Sequence, residues 1–121
     1  MTRLALTIAA AVFPCAAQAS DAAWPLALVD GVAPGYAATL SLDQPGQIHG
    51  RAPCNRYSAS LTGSLPGFSL GSVMATRMAC ADIAAEQRFF DLLSRMDHAE
   101  QTDSTLTLTG GGHRMVFFSQ P

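Results

Sequence analysis

The sequence lacks the features of a nucleic-acid-binding protein. It contains no lysine, and its seven basic residues, all arginine, are outnumbered by nine carboxylates. No cluster of cations is present that could neutralise a row of phosphates, so DNA and RNA are not expected partners. Its 121 residues predict one domain.

Two common signatures of catalysis are missing as well. The sequence has no phosphate-binding glycine loop and no evident carboxylate pair for glycoside hydrolysis. Gly110-Gly111-Gly112 precedes an apolar stretch, which favours a hairpin turn, and His98 and His113 are expected to be solvated. We therefore predict no enzyme, no catalytic residue and no cofactor, with a hydrolase of unrecognised site as the alternative.

Long apolar runs are scarce, and the longest begins the chain. Arg3 precedes an uncharged stretch over residues 4–13, and Ala17-Gln18-Ala19 provides the small-x-small pattern of a signal peptidase site. We predict a signal peptide over residues 1–19 and a mature domain over 20–121, periplasmic or secreted. No later segment approaches about 20 consecutive apolar residues, so no transmembrane segment is expected in the mature chain.

Cysteine is rare, and its placement fits export. Cys15 lies within the predicted signal peptide, which leaves Cys54 and Cys80 as one pair for an oxidising compartment. A lipoprotein acylated at Cys15 is the alternative, although Phe13-Pro14 precede it where small residues are preferred. Neither remaining cysteine has a Cys or His two to four residues away, so a disulfide is favoured over a metal site that recruits histidines.

Alternating apolar residues and turn signals predict an α+β fold: a twisted antiparallel β-sheet or partly closed barrel with one packed α-helix. Strands are predicted over residues 24–29, 37–42, 47–51, 56–61, 68–75, 99–102, 105–109 and 115–118, with 47–51 as the hairpin partner of 37–42. Asp82 is the predicted N-cap of the helix. Its core-facing stripe comprises Phe89, Leu92, Leu93 and Met96, widened by Ile83, Ala85 and Phe90.

Two motifs around the cysteines identify a family resemblance. They are Gly50-Arg51-Ala52-Pro53-Cys54-Asn55-Arg56-Tyr57 and Thr76-Arg77-Met78-Ala79-Cys80, followed by Glu86. In this order and spacing they resemble the META domain of HslJ-type proteins, and flanking matches extend the likeness over nearly the whole mature chain. Pro53 stands where family members often carry glycine. Because proline has no N–H, it argues against a regular strand through Cys54 and favours a bulge or sheet edge.

The resemblance implies location and fold more than chemistry. Members of the family are bacterial envelope proteins, some linked to heat or drug stress, with no established catalytic residue or cofactor. We therefore expect a binding or supporting role in the cell envelope under stress. The partner would be an unknown envelope protein or small ligand, and the protein is expected to be a monomer.

Four residues near the cysteines form the candidate site: Asn55, Arg56, Arg77 and Glu86. A guanidinium near the core needs a carboxylate to offset its desolvation, so we predict that one arginine pairs with Glu86. Asn55 is expected at a backbone position with positive φ. The alternative function is a carrier, either of an anion bound by the two arginines or of an apolar ligand in a cavity beneath Phe89, Leu92 and Phe117.

Overall fold

A computed structural model describes residues 23–119, which form nine strands and one helix. The predicted signal peptide, Cys15 and the cleavage site at Ala19 lie outside the described residues. The elements are β1 Trp24–Val29, β2 Thr39–Leu40, β3 Gln47–Arg51, β4 Arg56–Thr62, β5 Ser69–Leu70, β6 Met74–Ala75, α1 Ile83–Arg95, β7 His98–Gln101, β8 Thr105–Gly110 and β9 His113–Phe118.

The strands form two antiparallel sheets. One has the order β2-β1-β9-β8-β7, and the other has the order β3-β4-β5, with β6 also paired to β4. Isolated bridges join the sheets at two places, between Ser41 and His49 and between Gly67 and His98. The sheets therefore curl into a partly closed barrel, and the predicted α+β fold is confirmed.

Strand positions follow the sequence pattern closely, but the predicted pairing forms only in part and one predicted strand is divided. Residues 47–51 form a strand whose main partner is β4, and their predicted pairing with 37–42 is reduced to one antiparallel bridge between Ser41 and His49. Strand β2 pairs with β1 through Trp24 and Leu40. Alternation fixes which face of a strand is buried and leaves its neighbour open. The stretch 68–75 is also not one continuous strand, because residues 71–73 interrupt it and the register against β4 shifts by one residue between β5 and β6.

The inward faces of both sheets and one face of α1 make a single core. Its largest fully buried side chains are Phe89, Phe117, Leu40, Leu93, Met96, Leu106 and Met115. The predicted helical stripe is therefore largely buried, although Leu92 is only half-buried and Ile83 remains 38% exposed. A buried aromatic group forms where Tyr57 meets Phe89 and Phe90 edge-on, at centroid distances of 5.5 and 5.6 Å.

The helix is held at both ends, and this places the candidate site. It begins after Asp82, which is the N-cap as predicted but makes no side-chain capping hydrogen bond. The first turn carries Glu86 towards the loop between β3 and β4, and the last turn packs against Gly110 at the end of β8. Among the described residues, no helix is both long and apolar enough to cross a membrane.

Candidate functional site

A disulfide joins the two motifs that the sequence singled out. Cys54 lies in the loop between β3 and β4, and Cys80 lies just before α1, with 6.0 Å between their Cα atoms. Strand β3 ends at Arg51, so Pro53 and Cys54 both lie outside regular strand structure. The bond crosslinks a hairpin to the start of the helix, and it fits an extracellular or periplasmic protein.

Glu86 is the carboxylate at the centre of this region. It is only 3% exposed. One carboxylate oxygen accepts hydrogen bonds from the backbone N–H groups of Cys54 and Asn55, both at 2.8 Å, and the other accepts one from Asn55 Nδ2 at 2.7 Å. Such bonds offset the desolvation of a buried carboxylate, and its position in the first helical turn adds a favourable dipole interaction.

Asn55 links Glu86 to the second motif. Its Nδ2 donates to Glu86 and to the Met78 carbonyl, the latter at 3.1 Å. Its Oδ1 accepts from the Met78 N–H at 2.7 Å and from the Thr76 hydroxyl at 2.9 Å. Both amide hydrogens and both oxygen lone pairs are therefore used. One side chain thus holds the helix, the hairpin loop and the segment before the disulfide together.

The predicted arginine–Glu86 pair is wrong. Arg56 and Arg77 are exposed, and in the described part of the chain neither forms an ion pair with Glu86. Neutral N–H donors supply the contacts to the carboxylate instead, which avoids desolvating a second charged group. The prediction for Asn55 is also wrong, because Asp30 is the one non-glycine residue between 23 and 119 that has positive φ. Asn55 acts through its side chain rather than through a left-handed backbone.

Arg56 instead lines an open groove on the surface, and Arg77 follows the groove residue Thr76 in the chain. Arg56 and Thr76 face each other, with the Thr76 N–H donating to the Arg56 carbonyl at 3.1 Å and the Arg56 N–H donating to the Thr76 hydroxyl at 3.2 Å. The groove has a volume of about 320 Å³ and is lined by Arg56, Tyr57, Ser58, Met74, Ala75 and Thr76. The structure thus separates the four candidate residues into an internal pair and an external pair.

The interior offers little room for an apolar ligand. Phe89 and Phe117, beneath which a cavity was expected, are both fully buried within the core. An apolar cavity does lie elsewhere, lined by Leu40, Leu42, Ile48, Leu61, Leu65, Phe68, Leu70, Ala99 and Leu108, but it holds about 10 Å³. That is about the space of a single water molecule. A filled core of this kind counts against a carrier of apolar molecules.

A second polar cluster, which the sequence analysis missed, joins the ends of β1 and β9. The Asp30 carboxylate contacts His113 Nδ1 at 2.7 Å and accepts the Arg114 N–H at 2.8 Å. These two hydrogen bonds, the first being the larger effect, lower the pKa of Asp30 below its ordinary value. The Asp30-Gly31 turn was a signal for this bend, but its partner lies 83 residues away. The contacts fasten two turns together at the surface.

Residues 23–119 contain no group of three or more His, Cys, Asp or Glu side chains placed to hold a metal ion. The histidines contact single carboxylates: His49 lies 2.7 Å from Asp43, and His98 lies 3.5 Å from Glu100. Both pairs are exposed enough for water to screen them.

Comparison with known proteins places these features in a family. An NMR structure of a protein from Burkholderia xenovorans is similar, with a TM-score of 0.63 and 24% identity over 99% of each chain. At this identity the likeness concerns the fold alone. No curated protein matches the chain. The family model described as META domain matches residues 17–121. The chain therefore belongs to the META domain family.

Proposed function

We propose that this META-domain protein is exported and acts without catalysis, binding or supporting other components of the bacterial cell envelope under stress. The observation that supports the proposal is that the residues of the family motif form hydrogen bonds within the protein. All hydrogen-bonding groups of the Asn55 side chain contact Glu86, Thr76 or Met78. The Cys54–Cys80 disulfide joins the two motifs that contain Asn55, Thr76 and Met78. The motif stabilises the fold, so we expect other envelope components to bind to the outer surface of the domain.

The disulfide also supports export. A Cys54–Cys80 bond is stable in an oxidising compartment, and the pattern over residues 1–19 supplies a route to it. The mature protein would begin at Ser20 and reside in the periplasm or outside the cell. Acylation at Cys15 is the alternative, and it would tether the same domain to a membrane.

The experiment that tests this role is deletion of the gene in its source bacterium, followed by heat and drug challenge. We expect reduced survival, restored by the full chain. A version lacking residues 2–19 is the matched control, because it carries the same domain without the predicted signal. Equal rescue by that version would contradict an envelope role, and unchanged survival of the deletion strain would contradict a role under stress.

A further inference from the structure

Strand β6 leaves one edge of the barrel wall open. Thr76 donates its N–H to the Arg56 carbonyl, so these residues are a hydrogen-bonded pair between antiparallel strands. Tyr57 and Ala75 are the next opposing pair. Hydrogen-bonded and non-hydrogen-bonded pairs alternate in such a ladder, so the N–H and C=O of Ala75 point away from β4. Between residues 23 and 119, no strand pairs with that outer side.

Two other sheet edges are partly covered within the fold. The edge of β3 meets Ser41 through two backbone hydrogen bonds with His49, at 2.7 and 3.3 Å. The edge of β7 meets the segment before β5, where the Ala99 N–H donates to the Pro66 carbonyl at 2.8 Å. An uncovered edge is a template for pairing with another extended chain. Strand β6 has no such backbone contact on its outer side in the described residues, so it can accept one.

The side chains along this edge indicate what would bind there. Met74, which lines the groove, is 68% exposed, and Met78, three residues after Ala75, is 61% exposed; both are adaptable apolar side chains. Arg56 and Arg77 are exposed next to them and form no ion pair in the described part of the chain. Two exposed guanidinium groups without an ion pair in the described residues favour a partner that carries carboxylates.

We infer that the outer edge of β6 binds an extended, acidic segment of another protein as an added β-strand. The segment would exchange backbone hydrogen bonds with Ala75, place apolar side chains on Met74 and Met78, and present carboxylates to Arg56 and Arg77. This inference rests on the proposed binding role and names its partner class. Few backbone bonds are available, so the interaction is weak and depends on salt.

The test is a titration of the mature protein with a short fluorescent peptide of alternating Glu and Val, followed by anisotropy. We expect saturable binding that weakens with salt. The same peptide methylated on its backbone nitrogens keeps its charge but loses its donors, and we expect it to bind about tenfold more weakly. A Lys-Val peptide should not bind. Equal binding of the methylated peptide would overturn strand addition.

Variants of the protein locate the site. Ala75→Pro removes an N–H that faces solvent, a position where an edge strand tolerates proline, and should reduce binding about tenfold. Arg56→Glu with Arg77→Glu should abolish binding, whereas Arg88→Glu on the exposed side of α1 should leave it unchanged. An equal loss for Arg88→Glu would overturn the assignment to β6. Far-ultraviolet circular dichroism confirms that each variant is folded.

Nuclear magnetic resonance gives a readout that does not depend on variants. Addition of the Glu-Val peptide should shift the backbone amide of Ala75 more than the amides of β3. Shifts confined to other elements would overturn the proposal, as would binding to anionic phospholipid vesicles without binding to the peptide. If the deletion strain loses stress survival but the protein does not bind the peptide, strand addition is wrong and the proposed envelope role is unaffected.

Discussion

At the residue scale, the main result is that neutral donors stabilise a buried carboxylate. Glu86 lies almost entirely inside the protein, where an unpaired charge would destabilise the fold by several kcal/mol. Asn55 and two backbone N–H groups offset that cost without bringing in a cation. Because Asn55 also holds Met78, the charge of Glu86 is coupled to the segment that carries the disulfide.

The first prediction concerns Glu86→Gln. The amide keeps the shape of the side chain but directs an NH2 group at groups that are themselves donors, so at least one hydrogen bond is lost inside the protein. We expect the free energy of unfolding to fall by about 2 kcal/mol and the melting temperature by roughly 10 °C. Thermal denaturation followed by circular dichroism measures it.

Two controls accompany this variant. Asp91→Asn removes an exposed ion pair with Arg95 on the same helix, which is worth less than about 1 kcal/mol. Arg77→Ala removes an exposed side chain with no ion pair in the described residues, so the melting temperature should stay the same. A large fall for Arg77→Ala together with none for Glu86→Gln would restore the arginine-based interpretation of the site.

The second prediction concerns acid. The hydrogen bonds from His113 and Arg114 lower the pKa of Asp30 in the folded protein, so folding favours its charged form. This contribution to stability is present above the ordinary pKa of 3.8 and is lost as the pH falls through the lower, folded value. Asn also tolerates the positive φ of 52° at this position, so Asp30→Asn isolates the charge.

Unfolding by urea across the acid range measures this effect. The stability difference between the native protein and Asp30→Asn should shrink as the pH falls below about 4. A difference that stays constant to the lowest pH would show that the charge of Asp30 contributes nothing to folding.

The sequence could indicate which residues form the site but not how they are connected. Opposite charge predicts that an arginine pairs with a glutamate, and on this basis Arg56 or Arg77 was the predicted partner of Glu86. The actual donors include the backbone N–H groups of Cys54 and Asn55, which have no sequence signature. Asn55 and Glu86, the two residues at the centre of the hydrogen-bond network, are 31 residues apart in the sequence. They meet only because the hairpin loop packs on the helix.

At the scale of elements, the helix is positioned by contact between its last turn and the end of β8. A Cβ added to Gly110 would overlap the Arg95 carbonyl oxygen and lie 2.6 Å from Met96 Cα. Both are backbone atoms, so they cannot move aside as a flexible side chain would. The close approach allows Phe89, Leu93 and Met96 to reach the core.

The third prediction is therefore that Gly110→Ala displaces the end of the helix and destabilises the fold by about 2 kcal/mol or more. Gly67→Ala is the matched control, since a Cβ there meets nothing within 4 Å and the residue has no positive φ. Urea denaturation of the two variants measures the difference. Equal stabilities would show that the helix end is not fixed by this contact.

Element boundaries were easier to predict than element partners. The alternation of apolar residues located β1 and β3 with the bounds that the structure has. It could not show that β3 turns to β4, because both candidate neighbours alternate equally well. The interruption at residues 71–73 likewise splits one predicted strand into β5 and β6. Tertiary contacts determine which strands pair and where residues 68–75 are divided.

At the scale of the whole molecule, a small barrel is reinforced by one covalent crosslink. A hundred-residue domain has only about 5–10 kcal/mol of stability, so a disulfide is a large share. The Cys54–Cys80 bond closes a segment of 26 residues that contains β4, β5 and β6. It limits the freedom of this part of the chain in the unfolded state.

The fourth prediction is that Cys54→Ser with Cys80→Ser lowers the free energy of unfolding by about 3–4 kcal/mol, as the loop-closure entropy of this segment implies. The double variant should still fold, because the Asn55–Glu86 contacts do not involve the sulfur atoms. Urea denaturation with and without a reductant measures both effects. A reductant should destabilise the native protein and leave the variant unchanged, and equal responses would contradict the prediction.

The measurement that tests the account most directly is the intact mass of the protein purified from the envelope, alkylated before and after reduction. We expect a chain that begins at Ser20 and takes up alkyl groups on Cys54 and Cys80 only after reduction. A mass that begins at an acylated Cys15 would contradict release as a free domain. Two thiols that react without reduction would contradict the central claim, which is that an exported, disulfide-closed motif holds the fold together.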